Sequence, residues 1–338
     1  MRKIGASLAI AALAAVLCSP TPGAAFGVRF GPFYVHFPFY FHRHWHRHYV
    51  KHQPADQAAS RNDEPTAHPE PAPGRTSALL YPALALPAVY DEVFWPPATI
   101  PWPFTYAAIF QTAFAKADQA QLANACQQPD RAAAIVDRIK SETNPTNAEL
   151  PLLQRLGGAL TQASGYLAKA CPNDIPPSPV ARLQLMEWQI EKLAQALDIV
   201  RQPLQDFEQA LDDKQRARFA GRAGAERART MSAACAVAPT AVDWSIERIS
   251  LSVQPTDSQR DAIASLKQAF GSAASELDEN CPWSLPASPL ARLEATEARL
   301  DATWRAVVTI QVALEDFQGG LSDEQKARFD QMDFAAAQ

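Results

Sequence analysis

Of the 338 residues, 47% are hydrophobic and 20% charged, for a net charge of −5 at pH 7. The charge is unevenly placed: residues 1–125 carry nine basic and seven acidic side chains, and residues 126–338 carry 22 and 29. That acidic balance argues against a nucleic-acid surface, because phosphate recognition needs a basic one.

Residues 1–25 read as a cleaved secretory signal. Arg2 and Lys3 begin it, Ile4 to Leu17 supply an apolar run of 14, and Gly23-Ala24-Ala25 offers small residues for cleavage after Ala25. The run is too short for a comfortable membrane span. Leu17 stands where a lipoprotein signal has a small residue, so Cys18 leaves with the signal. The segment predicts export. Residues 26–76 alternate aromatics with His and Arg, then turn rich in Pro, Ala and acids, the composition of a disordered arm and linker. All seven histidines lie there, which removes His-based triads and His-ligated catalytic metals from the remaining chain. His42, His44, His46 and His48 are the densest cluster. Imidazoles so placed suit Zn²⁺, Cu²⁺ or Ni²⁺; a cationic aromatic tail without ligand is the plainer reading. The arm's arginines and aromatics also suit contact with an anionic membrane surface. Residues 77–125 are apolar, and their prolines predict an irregular segment to about residue 103. A leading helix follows from about Phe104 to Cys126.

Beyond this point the chain repeats itself, as two tandem copies of about 110 residues, 126–234 and 235–338. Cys171 to Phe219 aligns with Cys281 to Phe329 without a gap, and 19 of 49 positions are identical. A repeat of that length suits a duplicated small domain. The pattern predicts an all-α fold of two helical hairpins, with helices near 129–142, 147–170, 179–210 and 213–232. Their counterparts fall near 239–252, 257–280, 289–318 and 323–333. Ser178-Pro179 and Ser288-Pro289 each offer an N-cap hydroxyl before a proline at the first helical position. The third helix of copy one carries a heptad seam, Leu183, Met186, Ile190, Leu193, Leu197, Val200, Leu204, Phe207 and Leu211. Copy two repeats it from Leu293 to Leu321, the mark of a helix packed along a long partner. Pro203 predicts a kink in the first of these helices.

Four cysteines remain once the signal is gone, and four allow three connectivities. Repeat symmetry favours one bridge within each copy, Cys126–Cys171 and Cys235–Cys281, in an oxidising compartment. A tetrathiolate metal site is disfavoured because no close Cys-x-x-Cys pair occurs.

Each copy joins its third and fourth helices through Leu-x-x-x-Gln: Leu211-Asp212-Asp213-Lys214-Gln215 and Leu321-Ser322-Asp323-Glu324-Gln325. Related starts, Thr146 to Glu149 and Thr256 to Gln259, precede the second helices. Singly these are capping boxes, in which the cap oxygen and the Gln or Glu three residues on satisfy early N–H groups. As two symmetric pairs they resemble the Leu-Thr-x-x-Gln motif of the Spy/CpxP-like family, once per copy over residues 126–333. "LSDEQKARF" at Leu321 to Phe329 is the best match. The chain departs from the pattern at Glu149, where the family has Gln, and at Asp212 and Ser322, where it has Thr.

The resemblance implies a helical, often dimeric periplasmic protein whose better-known members are ATP-independent chaperones or envelope-stress modulators. No Gly-rich phosphate loop, nucleophile elbow or zincin motif occurs, so neither enzyme nor resident cofactor is expected, and unfolded client proteins are the partners the resemblance implies. The tandem copies then stand as a monomeric pseudo-dimer, with a homodimer the other option. Two further readings remain: a metal-binding or metal-buffering envelope protein using the His tract, and a structural or regulatory envelope adaptor. Trp188 and Trp304 lie off the seam, as client contacts or, more plainly, as packing against a neighbouring helix. The acid pairs Asp212/Asp213 and Asp323/Glu324 sit in first helical turns, where the helix dipole favours them.

Overall fold

The computed structural model describes residues 28–30, 33–35, 82–95, 104–114, 122, 126, 131–221, 237–238, 240–281 and 286–333. The signal segment 1–25, His42, His44, His46, His48 and Cys235 lie outside the described residues. The chain divides into two compact units, Met1–Pro69 and Glu70–Gln338. In the first, β1 (Val28–Phe30) and β2 (Phe33–Val35) pair antiparallel, with Arg29 opposite Tyr34. Sequence composition predicted no order here. Yet both trios are β-branched, aromatic or long side chains on either side of Gly31-Pro32, a turn dipeptide.

The second unit is all-helical among the described residues. Its first two helices precede the repeats: α1 (Pro82–Phe94) and α2 (Tyr106–Phe114). Helix α1 corrects the expectation of an irregular segment at 77–103. Pro82 occupies the first position, where no N–H is required, so only Pro87 removes a ladder bond. Burial of Leu86, Val89, Tyr90, Val93 and Phe94 offsets that loss.

Copy one supplies α3 (Ala132–Thr143), α4 (Leu150–Lys169), α5 (Pro179–Ala210) and α6 (Asp213–Ala220). Copy two supplies α7 (Ala241–Val253), a 3₁₀ turn at Asp257–Gln259, α8 (Arg260–Glu279), α9 (Pro289–Gly319) and α10 (Asp323–Asp330). Helix α6 ends at Ala220, before Gly221 at φ +69°; the remainder of the helix expected at 213–232 lies outside the described residues. Ser178 and Ser288 are N-caps, each accepting from the N–H of Ala181 or Ala291 at 3.2 Å. Helix α5 runs unbroken through Pro203.

Every seam residue of both long helices is buried. Helices α5 and α9 pack on one another, while α4 lies along α5 and α8 along α9. Three contacts fix the α5–α9 pair as antiparallel. Gln184 Nε2 donates to Glu315 at 2.9 Å, Arg201 pairs with Glu297, and the Leu290 N–H donates to Glu208 at 3.0 Å. As the number rises on one helix it falls on the other. One continuous apolar core runs through both copies and includes α1 and α2.

Candidate functional site: two motif clasps and the seats they frame

The motif glutamines are buried and join three segments in each copy. In copy one, Gln215 Oε1 accepts from the Asp212 N–H at 2.8 Å, and Asp212 Oδ1 accepts from the Gln215 N–H at 2.7 Å. That is the expected capping box. The remaining amide hydrogens reach across the fold: Gln215 Nε2 donates to Glu149 at 2.8 Å, and the same carboxylate oxygen accepts from the Thr146 N–H at 2.8 Å. In copy two, Ser322 N–H donates to Gln325 Oε1 at 2.9 Å and Ser322 Oγ accepts from Gln325 N–H at 3.3 Å. There Gln259 accepts from Thr256 N–H, and the Gln259 and Gln325 carboxamides donate to each other, all at 2.9 Å. The two boxes of a copy are thus one clasp, closing the α3–α4 and α7–α8 turns against the ends of α5 and α9. Glu149 serves in place of glutamine because the clasp needs an acceptor there. Leu211 and Leu321 bury just ahead of each box.

Sequence reasoning missed two arginines that complete each clasp. Arg218 Nε and Nη2 donate to the carbonyls of Glu142 and Thr143 at 2.9 and 2.8 Å. Arg328 does the same to Ser252 and Val253 at 3.1 and 2.8 Å. These carbonyls end α3 and α7, where a cation is favoured by the helix dipole. Both turns then pass through the left-handed region, at Asn144 (φ 49°) and Gln254 (φ 53°). The signal was present in the identical Ala-Arg-Phe that follows each motif glutamine.

A second pair of missed arginines lies in the Ala-Arg-Leu shared by both copies, just inside α5 and α9. Arg182 and Arg292 are 7% and 1% exposed. Arg292 Nε donates to the Val93 carbonyl at 2.7 Å and Nη1 to Ala220 at 2.9 Å. Arg182 Nη1 donates to the Ala113 carbonyl at 2.9 Å, and its other nitrogens to Pro176 and Pro177 at 2.9 and 2.7 Å. Burial pulls the Arg292 guanidinium down to about 10 and lowers that of Arg182 as well. Each arginine therefore holds the last turn of one leading helix: Arg292 holds α1, and Arg182 holds α2. A phenylalanine from the other copy closes each seat. Phe94 stacks on Phe219 at 6.3 Å between ring centroids, and Phe114 meets Phe329 edge-on at 5.7 Å.

The seats also differ in charge. Glu92 of α1 forms a buried ion pair with Arg299 of α9. The repeat-equivalent of Arg299 is Gln189, which donates to the Ala170 carbonyl at 3.1 Å. Burial pushes the Arg299 guanidinium down to about 9. At the α5–α9 interface Glu297 is 2% exposed, and burial raises its carboxyl to about 8 against the opposing pull of Arg201.

Cys126 and Cys171 are bonded to one another, as symmetry predicted. Cys281 is also in a disulfide; its expected partner Cys235 lies outside the described residues. Trp304 packs against the core, and Trp188 is 37% exposed. Among the described residues no group of His, Cys, Asp and Glu is placed to hold a metal ion, and no helix is long and apolar enough to cross a membrane.

The arrangement of the second unit, among the described residues, is all-helical with turns locked by glutamine clasps. Residues 241–333 match the family model described as "LTXXQ motif family protein". That segment is thus similar to the LTXXQ motif family, which contains the Spy/CpxP-like proteins and is helical and typically periplasmic. The match covers copy two. No curated protein and no solved structure matches the chain.

Proposed function

We propose that this protein is a periplasmic, ATP-independent chaperone that holds unfolded clients and suppresses their aggregation without a chemical step. One observation carries the reading: the family's motif recurs as a complete clasp at opposite ends of a single antiparallel helix pair. On this reading copy one is a second family unit, and the two copies supply within one chain the pairing that shorter relatives reach by dimerising. Trp188, Leu251 and Val312, exposed at 37, 67 and 49%, add separated apolar contact points among charged neighbours. Weak contacts of that kind bind unfolded chains reversibly and lower the free concentration of aggregating species.

The test is light scattering of two unrelated unfolding clients, with the mature protein and with a version lacking residues 26–75. Suppression by both versions at near-stoichiometric ratios is the expected result and assigns the activity to the helical unit. Suppression by neither version overturns the reading. Suppression only with the arm present moves the activity to the His tract, whose titration with Zn²⁺, Cu²⁺ and Ni²⁺ is then the next step.

A further inference from the structure

Helices α1 and α2 carry the same short pattern, 20 residues apart. Val89-Tyr90-x-x-Val93-Phe94 corresponds to Ile109-Phe110-x-x-Ala113-Phe114. The two helices occupy equivalent seats related by the 110-residue repeat. In each, an arginine from one copy holds the carbonyl of the penultimate pattern residue, and a phenylalanine from the other copy packs on the final ring. Phe110 adds an edge-on contact with Phe270 of α8 at 4.8 Å. Most of this recognition is ring packing and main-chain capture. Guanidinium-to-carbonyl bonds read a backbone, and ring contacts accept any aromatic of suitable size. Two segments of different sequence fill equivalent seats by the same captures, so the selectivity is for pattern.

The occupants are also weakly held as helices. At 13 and 9 residues both are too short to be stable alone, and Pro87 interrupts the first. Thr112 stands where α1 has Glu92, and Gln189 stands where α9 has Arg299. Where α1 gains an ion pair, Thr112 Oγ1 and Gln189 Oε1 are both buried and lack hydrogen-bond partners among the described residues. Leaving such groups unsatisfied is unfavourable, and α2 is also the shorter helix, so α2 is the looser occupant.

We propose that the two seats are the client-binding grooves, and that α1 and α2 are internal occupants which an unfolded chain displaces. This rests on the holding function proposed above and names its substrate class: segments that form a short helical turn with an apolar-aromatic-x-x-small-Phe pattern. The α2 seat opens first.

The experiment is hydrogen exchange on the intact mature protein, alone and with a synthetic peptide of residues 104–114. A control peptide carries Ser at both positions 110 and 114, and fluorescence anisotropy follows binding of each. Amides of α2 should exchange at least about tenfold faster than those of α5 and α9, by local opening. The peptide should bind saturably and speed α2 exchange further, and the Ser-substituted peptide should do neither. Exchange of α1 and α2 only together with α5 and α9 would overturn the proposal, as would absence of peptide binding. A held client, scored by light scattering, that leaves α1 and α2 protection unchanged would also overturn it while sparing the chaperone reading. Peptide binding with α2 release, but without aggregation suppression, would sustain the grooves and remove the chaperone reading.

Discussion

Each motif glutamine is buried and spends its carboxamide on the polar groups of its own clasp. Gln325 Oε1 satisfies the Ser322 N–H, while its Nε2 meets Gln259 and, at 3.3 Å, the Gln254 carbonyl. Gln325→Ala removes all three and leaves Gln259 only its bonds to Thr256 and the Gly320 carbonyl, so a loss of about 2–3 kcal/mol is expected in urea unfolding. Gln259→Glu should be mild, within about 1 kcal/mol, because copy one already runs its clasp on Glu149. Gln215→Glu, by contrast, sets two carboxylates in contact. That variant should lose about 2–3 kcal/mol in urea unfolding at pH 7. Glu297 supplies a pH dependence of the native chain. Burial raises its carboxyl from 4.5 to about 8 despite Arg201, so between those values the unfolded state releases a proton that the folded state keeps. Its contribution is full below pH 4.5 and is lost as pH rises to about 8. Glu297→Gln should flatten that decline, and its melting temperature should exceed the parent's by a margin that widens from pH 5 to pH 8. A margin independent of pH would remove Glu297 as the cause.

Helix existence, cap serines and the seam were legible in the chain, because each depends on residues within one or two turns. Ser178 and Ser288 cap as their Ser-Pro signatures imply, and the seam from Leu183 to Leu211 is buried throughout. What failed was α1, whose prolines read as a helix ban when only Pro87 deletes a bond. The seats were illegible for a different reason: Arg182 and Arg292 bond carbonyls 69 and 199 residues away, and the partners are backbone atoms that no side-chain pattern announces. Equivalent turns carry a prediction at this scale. Asn144 tolerates the left-handed region, as short polar side chains do, whereas Gln254 occupies it at a penalty of roughly 1 kcal/mol. Gln254 is exposed, so Gln254→Gly should raise the melting temperature by about 1–3 °C once the added unfolded-state entropy is subtracted. Asn144→Gly should do less. An equal gain at both sites would mean that the left-handed penalty at Gln254 is absent.

Neither copy closes its own seats: the arginine of one copy and the phenylalanine of the other frame each leading helix, and the long helices bury against each other across the repeat boundary. A pairing fixed within one chain needs no second copy of the protein. Sedimentation of the mature chain should therefore give a monomer at micromolar concentration, and an obligate tight dimer would contradict the pseudo-dimer account. The disulfides bear on the same architecture. The Cys126–Cys171 bridge joins residues 45 apart, which in the chain-entropy model stabilises by about 4 kcal/mol. It ties Cys126, which follows α2, to Cys171 ahead of α5, both within copy one. Cys126→Ser with Cys171→Ser should lower the melting temperature by about 10 °C in two-state unfolding. If the copies fold as one cooperative body, probes in copy two must melt at the same lowered temperature as probes in copy one. Trp244 in α7 reports on copy two and Trp188 in α5 on copy one, so single-tryptophan versions read the two separately. Two distinct transitions would show that the shared core does not couple the copies, and the antiparallel pair would then be a contact between independent domains.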